Sequence, residues 1–194
     1  MISLVSVRAC DGGDGIRLSF DINGEKKSLT VSADDFLALG VTKGEIDEGV
    51  FDEICDADMN YGAVRAAIRI LSAGQCSKKK LYEKLRRRGF THSCAKNASD
   101  FAATHGYIDE DWQIENYLKT LVEKKYVGRR KVLPMLIAKG YSGSKISALL
   151  DEKYSDEDFE IAKQQFLMQK FGKTKPETYE EAEEMKKALY KQGY

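Results

Sequence analysis

Proline is nearly missing from this 194-residue chain: there are two, Pro134 and Pro176. So little proline leaves helix open to almost every segment. No apolar run approaches the ~20 residues that span a bilayer, and no signal peptide is recognisable. The four cysteines, Cys10, Cys55, Cys76 and Cys94, form no CxxC pair. A reduced, cytoplasmic chain is the simplest reading. The two histidines, His92 and His105, stand near Cys94. A Cys–His nucleophile needs spatial contact and a third orienting group, and with Cys76 the spacing matches no usual zinc pattern. The segment DGGDG (Asp11–Gly15) lacks the GK[ST] tail of a phosphate loop and the terminal glutamate of a calcium loop, so it reads as a hairpin turn. The acids of Asp109–Asp111 and Asp156–Asp158 read as helix N-terminal residues rather than as a catalytic pair. The sequence therefore points away from an enzyme, a metal or a cofactor.

Net charge is zero and pI is about 6.8, but the charge is unevenly spread. Residues 1–60 hold 5 Lys and Arg against 13 Asp and Glu, a net of −8. Residues 61–150 hold 18 against 7, a net of +11, and residues 151–194 hold 8 against 11, a net of −3. A basic centre between acidic ends suggests an anionic partner for the centre. The competing explanation is a set of solvated helix faces.

One phrase is written three times: LRRRGF at Leu85–Phe90, LIAKGY at Leu136–Tyr141 and LYKQGY at Leu189–Tyr194. The starts are 51 and then 53 residues apart, the spacing of a repeat array. Before the array, ISLVSV, IRLSFDI and KKSLTV alternate apolar with polar residues, with Ile16, Leu18, Phe20 and Ile22 on one side. Glycine-rich DGGDG and NGE separate these runs, which predicts a small antiparallel meander. SADDFLALG predicts a short capped helix, and Asp47–Ile54 a second one. From Tyr61 the period becomes helical. Each unit holds a first helix, a basic turn and a second helix ending in glycine and an aromatic. A third helix follows, expected at Ser93–His105 and Ser144–Tyr154; after Gly193 only Tyr194 remains. The expected organisation is an acidic extension over 1–60, repeats over 61–108 and 109–154, and a third repeat over 155–194 lacking its last helix. The fold class is mainly α: an elongated tandem array of three-helix repeats with a small N-terminal β meander. Pro134 falls inside a predicted helix and should kink it or delay its start.

The segments Ala66–Phe90, Ala103–Tyr141 and Phe159–Gly172 resemble the bacterial regulatory protein family RecX. The likeness lies in the helix–basic turn–helix–Gly–aromatic repeat, the GYIDED junction at Gly106–Asp111 and the order of the units. It implies a non-enzymatic partner of the RecA recombinase, lying in the groove of the RecA–single-stranded DNA filament. Such proteins reduce RecA ATPase and strand exchange and so restrain recombination, DNA repair and the SOS response. The family fold it implies is a tandem array of three-helix bundles. Pro134, the short third unit and the acidic extension depart from that pattern.

Two basic clusters are the candidate binding residues: Lys78, Lys79, Lys80, Lys84, Arg86, Arg87 and Arg88, then Lys124, Lys125, Arg129, Arg130 and Lys131. Each surrounds or runs along a second helix. Such cations act through phosphate contacts and counterion release, and arginine also grips carboxylates bidentately. The aromatics between them, Phe90, Trp112 and Tyr141 in particular, are expected in the core rather than as base platforms. The leading reading is a monomer bound to the RecA filament on single-stranded DNA. The alternatives are a charge-driven DNA-binding helical protein without RecA preference, and a scaffold that binds no nucleic acid. A pure DNA binder is usually basic throughout, with a pI above ~9.

Overall fold

The computed structural model describes residues 1–10 and 15–194. The chain divides into two compact units: residues 1–75 with 81–107, and residues 76–80 with 108–194.

The first unit opens with a four-stranded antiparallel sheet: β1 (Ile2–Ala9), β2 (Gly15–Ile22), β3 (Glu25–Ser32) and, after the helix α1 (Ala33–Leu39), the short β4 (Gly44–Ile46). The strand order is β3-β2-β1-β4. The expected meander is present, and β4 is an addition to it. Its Asn-Gly turn has both residues at positive φ, Asn23 at 52° and Gly24 at 92°, as a two-residue hairpin with right-handed strand twist requires. The turn expected at Asp11–Gly15 lies outside the described residues, apart from Gly15. Ser32 caps α1 by accepting from the Asp35 N–H, and Gly40 closes it in the left-handed region.

The short helix expected at Asp47–Ile54 does not stop there. It continues as α2 (Glu48–Ala73), 26 residues long, across the boundary expected at residue 60. The sequence carries no breaker between Ile54 and Tyr61, so the helix has no reason to end. Its first half buries Phe51 and Ile54 with Leu4, Leu18, Phe20, Leu29 and Val31 of the sheet, Phe20 and Phe51 meeting edge to face at 5.1 Å. Its second half buries Ala63, Ala67 and Ile70 and packs on α4 (His92–Thr104), which buries Ala95, Ala98 and Ala102. Alanine on both faces lets two backbones approach closely. Gly15 is held by a similar closeness: a Cβ there would strike the Tyr61 ring.

Between them runs α3 (Lys78–Arg87). The second unit then carries α5 (Glu110–Lys119), one π-helical turn at Thr120–Lys124, α6 (Arg129–Ala138), α7 (Gly143–Lys153), α8 (Asp156–Phe171) and α9 (Tyr179–Gln192). Asp109 caps α5 by accepting from the Trp112 N–H at 2.9 Å. Ser155 and Asp158 form the reciprocal capping box expected for α8. One core gathers Ile114, Leu118, Val132, Leu136, Ile146 and Leu150 from α5, α6 and α7. Pro134 does sit inside α6; the helix starts at Arg129 regardless.

The thrice-written phrase is a helix stop. In each copy the glycine has positive φ: 92° at Gly89, 93° at Gly140 and 98° at Gly193. In each, the aromatic N–H reaches back to the carbonyl of the leading leucine: Phe90 to Leu85 at 3.4 Å, Tyr141 to Leu136 at 3.3 Å, Tyr194 to Leu189 at 3.0 Å. Glycine just past the helix and a six-to-one bond to the third residue from its end define a Schellman motif. The leucine and the aromatic are paired in sequence because that turn brings them together.

Two of these stops also dock. The last carbonyls of α9 face the start of α6: Gln192 accepts from the Gly128 N–H at 2.9 Å and Gly193 from the Arg130 N–H at 3.2 Å. Lys131 Nζ adds a bond to the Lys191 carbonyl at 2.8 Å. No side chain caps α6, because the end of α9 does so. The orphan donors of one helix and the orphan acceptors of another satisfy each other, and their dipoles align favourably. The end of α6 meets the start of α3 in the same manner: Ser77 Oγ donates to the Lys139 carbonyl at 2.8 Å and accepts from the Lys80 N–H at 3.3 Å.

At α8 and α9 the carboxylates also carry structure. Asp158 is held below its ordinary value of 3.8 by the Ser155 backbone N–H and hydroxyl. Glu181 is held below 4.5 by Lys173 and then by the Glu177 N–H. A carboxylate so lowered stabilises the fold above its ordinary value and loses that contribution as pH falls through the lowered one. Helicity of α8 and α9 is therefore expected to decline below about pH 4. Amide signals of Ser155–Asp158 and Thr178–Glu181, followed by NMR from pH 6 to 3, check this; unchanged shifts would contradict it.

Candidate partner-binding surface

Helix α3 carries the first cluster. Ser77 starts it, and Leu81 and Leu85, one turn apart, are fully buried. This anchoring turns the rest of the helix outward. Lys78, Lys79, Lys84, Arg86, Arg87 and Arg88 are exposed, and Lys80 is half-buried. Arg86 also closes its own helix, donating to the Phe90 carbonyl at 2.6 Å. The Lys78 N–H is taken by Glu110 at 2.9 Å. The cations at the end of α3 complement its dipole as well, so the cluster serves the helix even without a partner. Helix stability, however, does not call for so many positive charges on one ten-residue helix.

The second cluster divides by role. Arg129 is engaged within the protein: it forms an ion pair with Asp151, lies 3.9 Å from Asp156 and stacks over Phe159 at 5.7 Å. Lys131 is half-buried in the docking of α9. Lys124, Lys125 and Arg130 are exposed. The π turn and the positive φ of Tyr126 (51°) set where Lys124 and Lys125 project. The Val127 N–H closes that bend on the Leu121 carbonyl at 2.8 Å, and Gln192 Nε2 donates to the Lys125 and Tyr126 carbonyls at 2.7 and 3.0 Å.

The aromatics do not all lie where the sequence suggested. Tyr141 is buried at 5% exposure and donates its hydroxyl to Gln113 Oε1 at 2.7 Å; burial pushes its phenol up. Phe90 is half-buried. Trp112, expected in the core, is 51% exposed. The Asp109 cap places Trp112 at the third helical position, and Gln113 and Ile114 beside it turn inward instead. The repeat phase hid this: Phe159, one repeat later, is buried, but its cap lies four residues ahead rather than three. The sequence reading also passed over Lys139, which sits 4.4 Å over the Tyr117 ring, and Lys145, which pairs with Asp111 at 3.0 Å.

His92, Cys94 and His105 have separate partners. His92 Nδ1 lies 2.8 Å from the Tyr82 hydroxyl, His105 stacks on Phe101 at 3.9 Å, and Cys94 is buried in α4. Among the described residues no group of His, Cys, Asp or Glu could hold a metal ion. Nor, among them, is any helix long and apolar enough to cross a membrane.

The fold thus defines a class: a small antiparallel sheet followed by a series of helices closed by Gly–aromatic stops, with cations exposed on the second helix of a repeat. No family model matches the chain. The chain is 27% identical over 180 residues to "Regulatory protein RecX" of Caldanaerobacter subterraneus subsp. tengcongensis, covering 89% of this chain and 85% of that one. It is 29% identical over 118 residues to "Regulatory protein RecX" of Clostridioides difficile, covering 61% and 55%. Among solved structures, "Crystal structure of regulatory protein RecX" superposes with a TM-score of 0.79 at 17% identity, covering all of this chain and 95% of the other. RecX from Lactobacillus salivarius superposes with a TM-score of 0.61 at 18% identity, covering 71% and 90%. The sequence relatives and the superposed structures carry the same name, and the fold is the one those structures share with this chain.

Proposed function

We propose that this protein is a non-enzymatic regulator that binds the RecA filament on single-stranded DNA and lowers RecA ATPase and strand exchange. Recombination and the SOS response are then the processes it restrains. The observation that carries the reading is the exposed cation row of α3, anchored by Leu81 and Leu85, on a fold shared with proteins named RecX. Such a row suits a groove lined by DNA phosphates and protein carboxylates. Lysine supplies point charge for phosphate, and arginine adds a fork for carboxylate. The acidic first sixty residues and the pI near 6.8 fit a partner that is protein as well as nucleic acid.

Affinity measured by fluorescence anisotropy at fixed salt tests this directly. Binding to RecA-coated single-stranded DNA is expected to exceed binding to either component alone by at least about tenfold, and to weaken steeply as salt rises. Equal affinity for bare DNA and for the filament would favour the charge-driven DNA binder instead.

A further inference from the structure

Trp112 is the one tryptophan of this chain. It stands 51% exposed, while the polar Gln113 beside it is buried at 4%. Leaving so large an apolar side chain in water forgoes hydrophobic stabilisation, and the surface around it is not flat. Trp112 and Tyr154 are the aromatic walls of an open cavity of about 380 Å³ that Leu118 also lines. That volume falls in the range of roughly 300–1,000 Å³ usual for ligand sites. Lys119 follows Trp112 by seven residues on α5, two helical turns along the same face, and lines the same cavity. A second cavity of about 460 Å³ shares Glu123, Lys153 and Tyr154 with the first and adds Tyr126 and Ile161. The two run past Tyr154, from Trp112 to Tyr126, and both belong to the second unit.

The charges along this channel divide into engaged and unengaged. Glu115 pairs with Lys153 at 3.4 Å. Glu123 accepts from the Tyr154 hydroxyl at 2.9 Å, and Asp158 is held in the Ser155 cap at 2.8 Å. Lys119, and past the π turn Lys124 and Lys125, are exposed and form no ion pair among the described residues. The charge left unanswered beside the aromatic walls is therefore positive.

We propose that single-stranded DNA crosses this face, with a base stacked on Trp112 and the backbone phosphates on Lys119, Lys124 and Lys125. The proposal rests on the reading above that single-stranded DNA is part of the partner, and adds that this protein touches the strand itself, through a base. A cationic track beside an aromatic face is the sequence-tolerant way to hold a single strand, because every base has a π-face. Duplex DNA suits the face less, because its bases are stacked on one another and out of reach of Trp112. A peptide suits it less as well: a basic segment would meet unpaired lysines and carboxylates already engaged, and an acidic one would leave the aromatic walls unused.

The probe is a fluorescein-labelled oligothymidylate, titrated with the full-length protein without RecA. Its anisotropy is expected to rise to saturation. In the reverse titration, with unlabelled oligonucleotide added to the protein, the fluorescence of the single tryptophan is expected to be quenched over the same range of concentration. Trp112→Ala is expected to weaken binding at least about fivefold, the lower end for one lost base stack, with far-UV circular dichroism unchanged. Trp112→Phe is expected to keep most of the affinity. Tyr179→Ala, which removes an aromatic 81% exposed on another helix, is expected to keep all of it. Lys119→Gln is expected to flatten the salt dependence. Binding without quenching, an unchanged affinity in Trp112→Ala, or duplex competing as well as the single strand overturns the proposal. The preference of the wild-type protein for RecA-coated over bare DNA tests the earlier reading separately. That preference without quenching would sink the stacking alone, and quenching without the preference would uphold the stacking and sink the RecA reading.

Discussion

Alanine at Gly128 is expected to lower the stability of the second unit by about 2–4 kcal/mol, a fall of roughly 10 °C or more in its thermal midpoint. The Cβ would sit on the Gly193 carbonyl, with Tyr194 N at 2.8 Å. These neighbours are backbone atoms at the end of a hydrogen-bonded helix, so no side-chain rotation relieves the clash. To make room, the end of α9 must withdraw, which strips the Gly128 and Arg130 N–H groups of their acceptors. The Gly128 donor is buried, so leaving it unpaired adds its own desolvation cost. Gly193→Ala should act at the same contact, since its Cβ would lie 2.5 Å from that of Lys131 and its φ is 98°. Gly89→Ala is the control: its φ is 92° but nothing lies within 4 Å, so only the left-handed strain of about 1 kcal/mol remains. Differential scanning calorimetry of the three variants reads the order. A Gly128→Ala protein that melts with the wild type, or below which Gly89→Ala falls, would show that the helix ends do not dock as described.

Reversing Arg86, Arg87 and Arg88 to glutamate is expected to reduce binding to the RecA–DNA filament by two orders of magnitude or more. Each reversal replaces an attractive charge by a repulsive one at the exposed end of α3, and each lost phosphate contact lowers the salt slope by about one. The fold should survive, because Leu81 and Leu85 hold the helix. Arg86 needs separate treatment: its bond to the Phe90 carbonyl means that its loss can loosen the stop. The pair Arg87→Glu and Arg88→Glu leaves that bond intact and should retain most of the effect. Anisotropy at two salt concentrations, with circular dichroism beside it, separates the two outcomes. Full binding by a folded triple variant would remove α3 from the interface.

Much of this was legible in the chain. The meander followed from alternating Ile16, Leu18, Phe20 and Ile22 with an Asn-Gly turn, and the α8 cap from Ser155 and Asp158 three apart. These are local signals, each satisfied by the residues that carry it. The Gly–aromatic phrase was legible as a stop, but not as a docking surface: that Gly128 must be glycine depends on Gly193, 65 positions away. The run of α2 through residue 60 was hidden by the change from strand to helix chemistry nearby; nothing breaks the helix, but a change of charge and composition resembled a boundary. Trp112 was placed in the core because its equivalent aromatic, Phe159, occupies a repeated position. A one-residue difference in cap spacing turned one outward and the other inward, a shift that periodicity over a fifty-residue repeat does not resolve. In the second basic cluster, sequence could not separate Arg129, bound to Asp151, from Arg130, one step along and exposed.

The measurement that meets the central claim most directly is the single-stranded-DNA-dependent ATPase of RecA, titrated with this protein at fixed salt. Inhibition is expected well below one copy per DNA-binding site, and it should be lost in the Arg87→Glu, Arg88→Glu variant. Inhibition only at amounts that saturate the DNA, or none at all, would contradict filament regulation and leave a protein whose cations serve DNA or its own helices.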